Sequence, residues 1–228
     1  MTPLEAILAT LLCFLAAHGL YRVSGHQPWL QPVITGILFM VIVLLATDTN
    51  YWSYFDSAQA IHTLLGTATV ALAIPLYECR HLIRQHIGPI FRTLLATGIL
   101  AIVTAIVLAQ WLGLPDNLAI TLAPKSVTTP FAIALTESFG GIPPLSAALV
   151  IVTGMIVALA GPGIARLAGI SNPLPLGLAM GMTGHGIATA RAFELSSEAG
   201  AFSALAMGLM GIYTSLLLPW ILPLFGLH

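Results

Sequence analysis

Charge is what this sequence has least of. Of its 228 residues only 7% are charged, seven Lys and Arg against eight Asp and Glu, where a soluble domain carries about 25%. That leaves too little polar surface to cover a globule in water. With 58% hydrophobic residues and a mean hydropathy of +0.98, the chain reads as a polytopic membrane protein. The cations are scattered and the net charge is −1, which excludes the clustered basic face of a nucleic-acid binder. Cysteine is scarce too: Cys13 and Cys79 show no CxxC or Cys/His ligand spacing and read as small packing residues. No nucleotide loop, GxSxG elbow or HExxH occurs, so no catalytic residue, metal or cofactor is expected. The opening Met-Thr-Pro-Leu-Glu has no positive n-region, so the apolar run behind it is expected to be an uncleaved first span.

What the chain has in quantity is membrane-length apolar sequence. A span needs roughly 17–25 apolar residues, and windows of that size fall at 3–21, 32–47, 60–77, 89–112, 117–136, 145–165, 173–194 and 200–225. The expectation is an all-α integral membrane protein of seven to eight membrane segments, one polytopic domain over residues 1–228, with no linker or low-complexity tract. Arg80, Arg84 and Arg92 surround the start of the fourth segment, while no Lys or Arg falls between Arg22 and Arg80. By the positive-inside rule the 79–88 loop is cytoplasmic and the 48–59 loop external.

The segment 117–136 is different in kind, because it carries Lys125 between two prolines in Leu-Ala-Pro-Lys-Ser-Val-Thr-Thr-Pro. A lone ammonium in hydrocarbon costs about 2.5–3.5 kcal/mol on insertion scales. Pro124 and Pro130 each lack an N–H and are expected to break or kink the helix around it. Broken backbone at that depth survives only inside protein or beside water. Lys125 with Ser126, Thr128 and Thr129, at the start of a half-helix, suits a carboxylate; the alternative is a Lys snorkelling from a segment end. Eight full crossings would place Arg166 outside, and a segment 117–136 that dips in and returns would bring it back to the cytoplasmic side.

A second polar interruption is Gly-Met-Thr-Gly-His-Gly-Ile-Ala-Thr-Ala-Arg at 181–191. Gly184 and Gly186 permit an unwound stretch around His185. A neutral His185, with Thr189 beyond it, could meet a carboxylate or carry a proton; the alternative is a hydrogen-bonded core histidine between closely packed helices. Arg191 and Glu194 lie three apart on one face and are expected to pair. An echo between 67–78 and 126–137, aligning Thr69 with Thr128 and Glu78 with Glu137, and a looser one between 66–73 and 184–191, point to an internal repeat or to chance in an Ala/Leu-rich chain. Paired interrupted helices in two halves mark transporter sites near the midplane.

Taken together, residues 122–130, Gly140-Gly141, Thr153-Gly154, the Gly-His-Gly-Ile-Ala-Thr-Ala-Arg run at 184–191 and Ala206–Leu209 resemble the LrgB/CidB family, as does the stretch 66–77. Thr67 departs from it, since the family usually has a proline after the glycine, so a break there rests on Gly66. The resemblance implies one of two things. Bacterial members are labelled holin–antiholin-like regulators of murein hydrolase export, with a small LrgA/CidA-type membrane partner; plastid relatives move glycolate and glycerate, and some bacterial members are connected with pyruvate. Lys125 between prolines and the Gly-His-Gly break fit the second strand. The expectation is an elevator-like secondary transporter of small monocarboxylates, with an inverted repeat and discontinuous or re-entrant helices. It would work as a homodimer in the bacterial inner membrane, with lipid, substrate and no nucleic acid as partners. Lys125, Ser126, Thr128, Thr129, His185, Thr189 and Arg191 would bind substrate, and Pro124, Pro130, Gly66, Gly184 and Gly186 would break the helices.

Overall fold

A computed structural model describes residues 1–25, 27–71 and 73–227, the side chains of 28, 62, 65–69 and 75 excepted. The described chain is all helical and divides into two compact units, Met1–Ala73 and Ile74–His228. Four helices among the described residues are long and apolar enough to cross a membrane.

In the first unit α1 (Pro3–Val23) opens on a capping box, in which Thr2 Oγ1 accepts from Glu5 N–H while Glu5 accepts from Thr2 N–H. It packs on α2 (Pro32–Ala46) through small residues: a Cβ on Gly36 would stand 3.8 Å from that of Ala17. α2 bends by 115° into α3 (Tyr51–Ser57), and the pair makes a fifth crossing if counted as one span. α4 (Gln59–Ala71) follows. Gly66 falls within α4, and its surroundings lie outside the described residues.

The second unit begins with two short helices, α5 (Ala73–Glu78, which starts in the last residue of the first unit) and α6 (Arg80–Gln85), before the long α7 (Ile87–Trp111). Three membrane-length helices, α7, α10 (Pro143–Leu167) and α12 (Ser197–Ile221), are interleaved with α8 (Asp116–Leu122), α9 (Thr129–Ser138) and α11 (Pro173–Leu195). α7 and α12 run in the same direction. Ile90 and Leu94 cluster with Phe202, Ala206 and Met210, and Gly98 meets Tyr213. At the far ends Gln110 Nε2 donates to the Phe225 carbonyl at 2.9 Å.

Between them, two apolar stretches that could have been straight spans fold back instead. α8 and α9 form a hairpin. A Cβ on Gly141 would stand 2.5 Å from Thr136 Cγ2 and 2.9 Å from Thr121 Oγ1, and Leu135 and Phe139 pack on a cluster that joins Ala119, Ile120 and Ala123 to Ile102, Ile106 and Leu218. Thr121 Oγ1 also accepts the Ile142 N–H at 2.9 Å, closing the hairpin's base. Gly140, at φ 76, turns the chain there into α10 in a conformation that L side chains avoid.

α11 folds back as well. Its first half runs alongside α12 in parallel, where a Cβ on Gly177 would meet the Ala199 carbonyl and one on Gly181 that of Ser203. Its second half runs antiparallel to α12, with Phe193 against Gly200 and Thr189 against Ser203. The two halves clasp each other through Met180, Ala188 and Ala192, with Leu176 beside them. The turn is at His185, the one interior residue of α11 off helical geometry, at φ 41 and ψ −134. The window 173–194 is therefore a bent element rather than a single crossing helix.

These directions fix the ends of the unit. α7 and α12 begin, α10 finishes and α11 begins and ends at one end, which carries Arg80, Arg84, Arg166 and Arg191. The hairpin of α8 and α9 enters from the other end, which carries Asp116 and Glu137. Arg166 thus shares an end with Arg80 and Arg84, as a returning 117–136 segment requires.

Candidate functional site

The tip of the first hairpin is the sequence from Ala123 to Thr128. α8 stops after Leu122, and single turns follow in which Lys125 N–H reaches the Leu122 carbonyl at 3.1 Å and Val127 N–H the Pro124 carbonyl at 3.2 Å. Pro124 sits in these turns, where a helix would need its missing N–H. Pro130 acts in the opposite sense from the expected break: it lies in the first turn of α9 and starts the helix, where an N–H has no partner in any case.

Lys125 is half-buried, and its Nζ lies 3.5 Å from Ser126 Oγ, with Ser126 itself buried. Among the described residues no carboxylate forms an ion pair with Lys125. Thr128 precedes α9 and makes no side-chain cap to the first N–H groups of that helix, which starts four residues after Lys125. Thr128 and Thr129 are half-buried at the same turn. A cation, a hydroxyl and a positive helix end therefore fall within the five residues 125–129, with no ion-paired carboxylate among the described residues.

The tip of the second hairpin is His185. Its φ lies in the left-handed region, which costs a non-glycine residue about 1–3 kcal/mol and persists only where the surroundings over-determine it. Two hydrogen bonds hold it. Nε2–H donates to the Val150 carbonyl of α10 at 2.8 Å, and Thr189 Oγ1 donates to the His185 carbonyl at 2.7 Å while lying 2.8 Å from Ser203 Oγ. Gly154 leaves the space for the ring, since a Cβ there would stand 2.7 Å from His185 Cε1. Gly184 lets the turn close on α10, where its Cβ would stand 2.6 Å from that of Val157. Gly186, by contrast, has open room, with Met207 Sδ 3.9 Å from its notional Cβ. The left-handed residue is the histidine and neither flanking glycine.

The two tips meet the same residue of α10. Val127, two residues past Lys125, clusters with Ala132 and Val150, and the carbonyl of Val150 takes the imidazole of His185. No hydrogen bond or ion pair joins Lys125 to His185 among the described residues; what the two tips share is Val150. Arg191 lies outside this meeting point: it pairs with Glu194, six residues beyond the turn or about 9 Å along the helix. Thr189 is buried and committed to His185 and Ser203. Sequence reasoning missed Val150 and Ser203. A backbone carbonyl leaves no trace in residue identity, and Ser203 stands in the run Ala-Phe-Ser-Ala, where its only signal is one hydroxyl among apolar neighbours. Among the described residues, no group of three or more His, Cys, Asp or Glu is placed to hold a metal ion.

Comparison with known proteins supplies a lineage. The profile of the LrgB-like family matches residues 10–224. YwbG of Bacillus subtilis is 32% identical over 217 residues, covering 95% of this chain and 96% of that protein. YxaC of the same organism is 32% identical over 219 residues, 96% of this chain and 95% of its own. A Staphylococcus epidermidis relative called holin-like protein CidB is 29% identical over 224 residues, 97% of this chain and 98% of that protein. No solved structure matches.

Proposed function

This chain belongs to the LrgB-like family and is a multi-pass bacterial membrane protein, and on that premise we propose that it is a secondary transporter of small monocarboxylates bound between its two hairpin tips. The observation that carries this reading is Lys125: a half-buried ammonium at a hairpin tip, four residues before an uncapped helix start and without a carboxylate partner among the described residues. Burying that charge is costly unless an anion answers it. One cation at the tip matches one carboxylate, with Ser126, Thr128 and Thr129 to take the remaining oxygens of a 2-hydroxy or 2-oxo acid. His185 and Thr189 shape the opposing tip.

In this reading the two folded-back hairpins are re-entrant elements, and with the crossing helices they make up the seven to eight membrane segments. Hairpins entering from opposite ends of the second unit fit an inverted repeat. An elevator-like movement of that unit, with its partner support from a second copy in a homodimer, belongs to the same proposal. The arginine-bearing end, with Arg80, Arg84 and Arg166, is the cytoplasmic one.

The holin-like name of the Staphylococcus relative favours a second reading, in which the protein regulates murein hydrolase export together with a small LrgA/CidA-type partner. Purified protein in liposomes separates the two. Saturable uptake of glycolate or pyruvate, without release of a trapped dye, supports the carrier; dye release without saturable uptake supports the pore.

A further inference from the structure

We propose that α6 and the start of α7 form a binding surface for anionic phospholipid headgroups, with Arg80, Arg84 and Arg92 making the contacts. Leu82 and Ile83 pack inward on the cluster of Ile90, Leu94, Leu178 and Phe202, so α6 lies across the beginnings of α7, α11 and α12. Two of these are membrane-length helices. The end where they begin is a membrane surface, and α6 lies along it.

Arg80 and Arg84, four apart, are exposed on the side of α6 that Leu82 and Ile83 leave free. Arg92 is also exposed, about 8 Å along α7 from its start, a depth that an arginine spans by snorkelling. Arg80 is anchored at this level: its guanidinium lies 4.2 Å from the centroid of the Tyr77 ring and donates one N–H to the Tyr77 carbonyl at 2.9 Å. The rest of the fork stays available. Two carboxylates, Glu78 and Glu198, stand beside Cys79, whose thiol burial pushes up first and their charges push further. Neither forms an ion pair with any of the three arginines. Guanidinium forks at a membrane surface, with no ion pair to a protein carboxylate among the described residues, match phosphate oxygens in geometry and charge.

The test uses the full-length protein, delipidated in detergent, and native mass spectrometry of retained phosphatidylglycerol against phosphatidylcholine. The expected result is a phosphatidylglycerol preference of about a hundredfold in the parent, lost in R80Q/R84Q/R92Q and largely kept in R80K/R84K/R92K. No headgroup preference in the parent, or the same preference in the glutamine variant, overturns the proposal. So does inorganic phosphate displacing the lipid at equal concentration, which assigns the surface to a free anion. If the triple variant does not fold, the single variants carry the same test, each losing roughly five-fold.

Discussion

His185 donates from Nε2 to the backbone carbonyl of Val150 at 2.8 Å, while the Val150 side chain clusters with Val127 from the opposing hairpin tip. One residue of α10 thus serves as the floor for both turns. Moving either tip disturbs a contact of the other, which gives the two halves of the site a physical reason to act together.

The first prediction concerns the backbone at position 185. Replacing His185 by Ala removes the ring and its hydrogen bond but keeps a Cβ at φ 41. Replacing it by Gly removes the ring and the strain together. Thermal unfolding in detergent should therefore place the Gly variant above the Ala variant by about 1–3 kcal/mol. Equal stabilities would mean that the turn carries no strain.

Glycine contacts give an internal comparison. A Cβ at Gly181 would stand 2.1 Å from the Ser203 carbonyl, whereas one at Gly208 meets nothing within 4 Å. Gly181→Ala should destabilise by about 1–3 kcal/mol, because backbone has to move, and Gly208→Ala should be neutral or slightly stabilising. Midpoints of thermal unfolding read both.

The Thr189–Ser203 bond can be isolated. Thr189→Val keeps the shape and removes the hydroxyl that serves His185 and Ser203, at an expected cost of about 1–3 kcal/mol, since the buried Ser203 hydroxyl loses its partner. Adding Ser203→Ala to Thr189→Val should cost less than Ser203→Ala does alone. A double-mutant cycle that shows simple additivity would rule the bond out as a coupling.

Much of this architecture could be read in the sequence, and for identifiable reasons. Long apolar runs became α1, α7, α10 and α12, because burial of that many apolar residues has no other outlet in a charge-poor chain. The break at 123–128 was legible because proline and lysine are costly there for independent reasons, and the position of Arg166 already argued for a returning segment. The fold-back at His185 was only half legible. Glycines announced an irregularity, but the turn is fixed by tertiary contacts with Val150, Val157 and Ser203, which lie on other helices. Arg191 carried two readings in the sequence: its i,i+3 spacing to Glu194 gave a pair, which the structure shows, and its place in the Gly-His-Gly motif gave a substrate contact.

The fold-back of both hairpins predicts a labelling pattern. With Cys13 and Cys79 changed to Ser, single cysteines in place of Asp116 and Glu137 should react with an impermeant maleimide from one side of the membrane. Those in place of Arg166 and Glu194, exposed at the opposite end, should react from the other. Asp116 and Glu137 labelling from opposite sides would mean that the segment crosses.

The central claim is that Lys125 binds the carboxylate of a transported monocarboxylate. It is tested most directly by uptake of radiolabelled glycolate and pyruvate into liposomes that hold equal amounts of the parent or of Lys125→Gln, with folding checked by size exclusion. Loss of a charge-assisted contact predicts uptake lower by roughly 10- to 100-fold for whichever acid the parent transports. Uptake within two-fold of the parent, from a properly folded Lys125→Gln protein, would contradict the account.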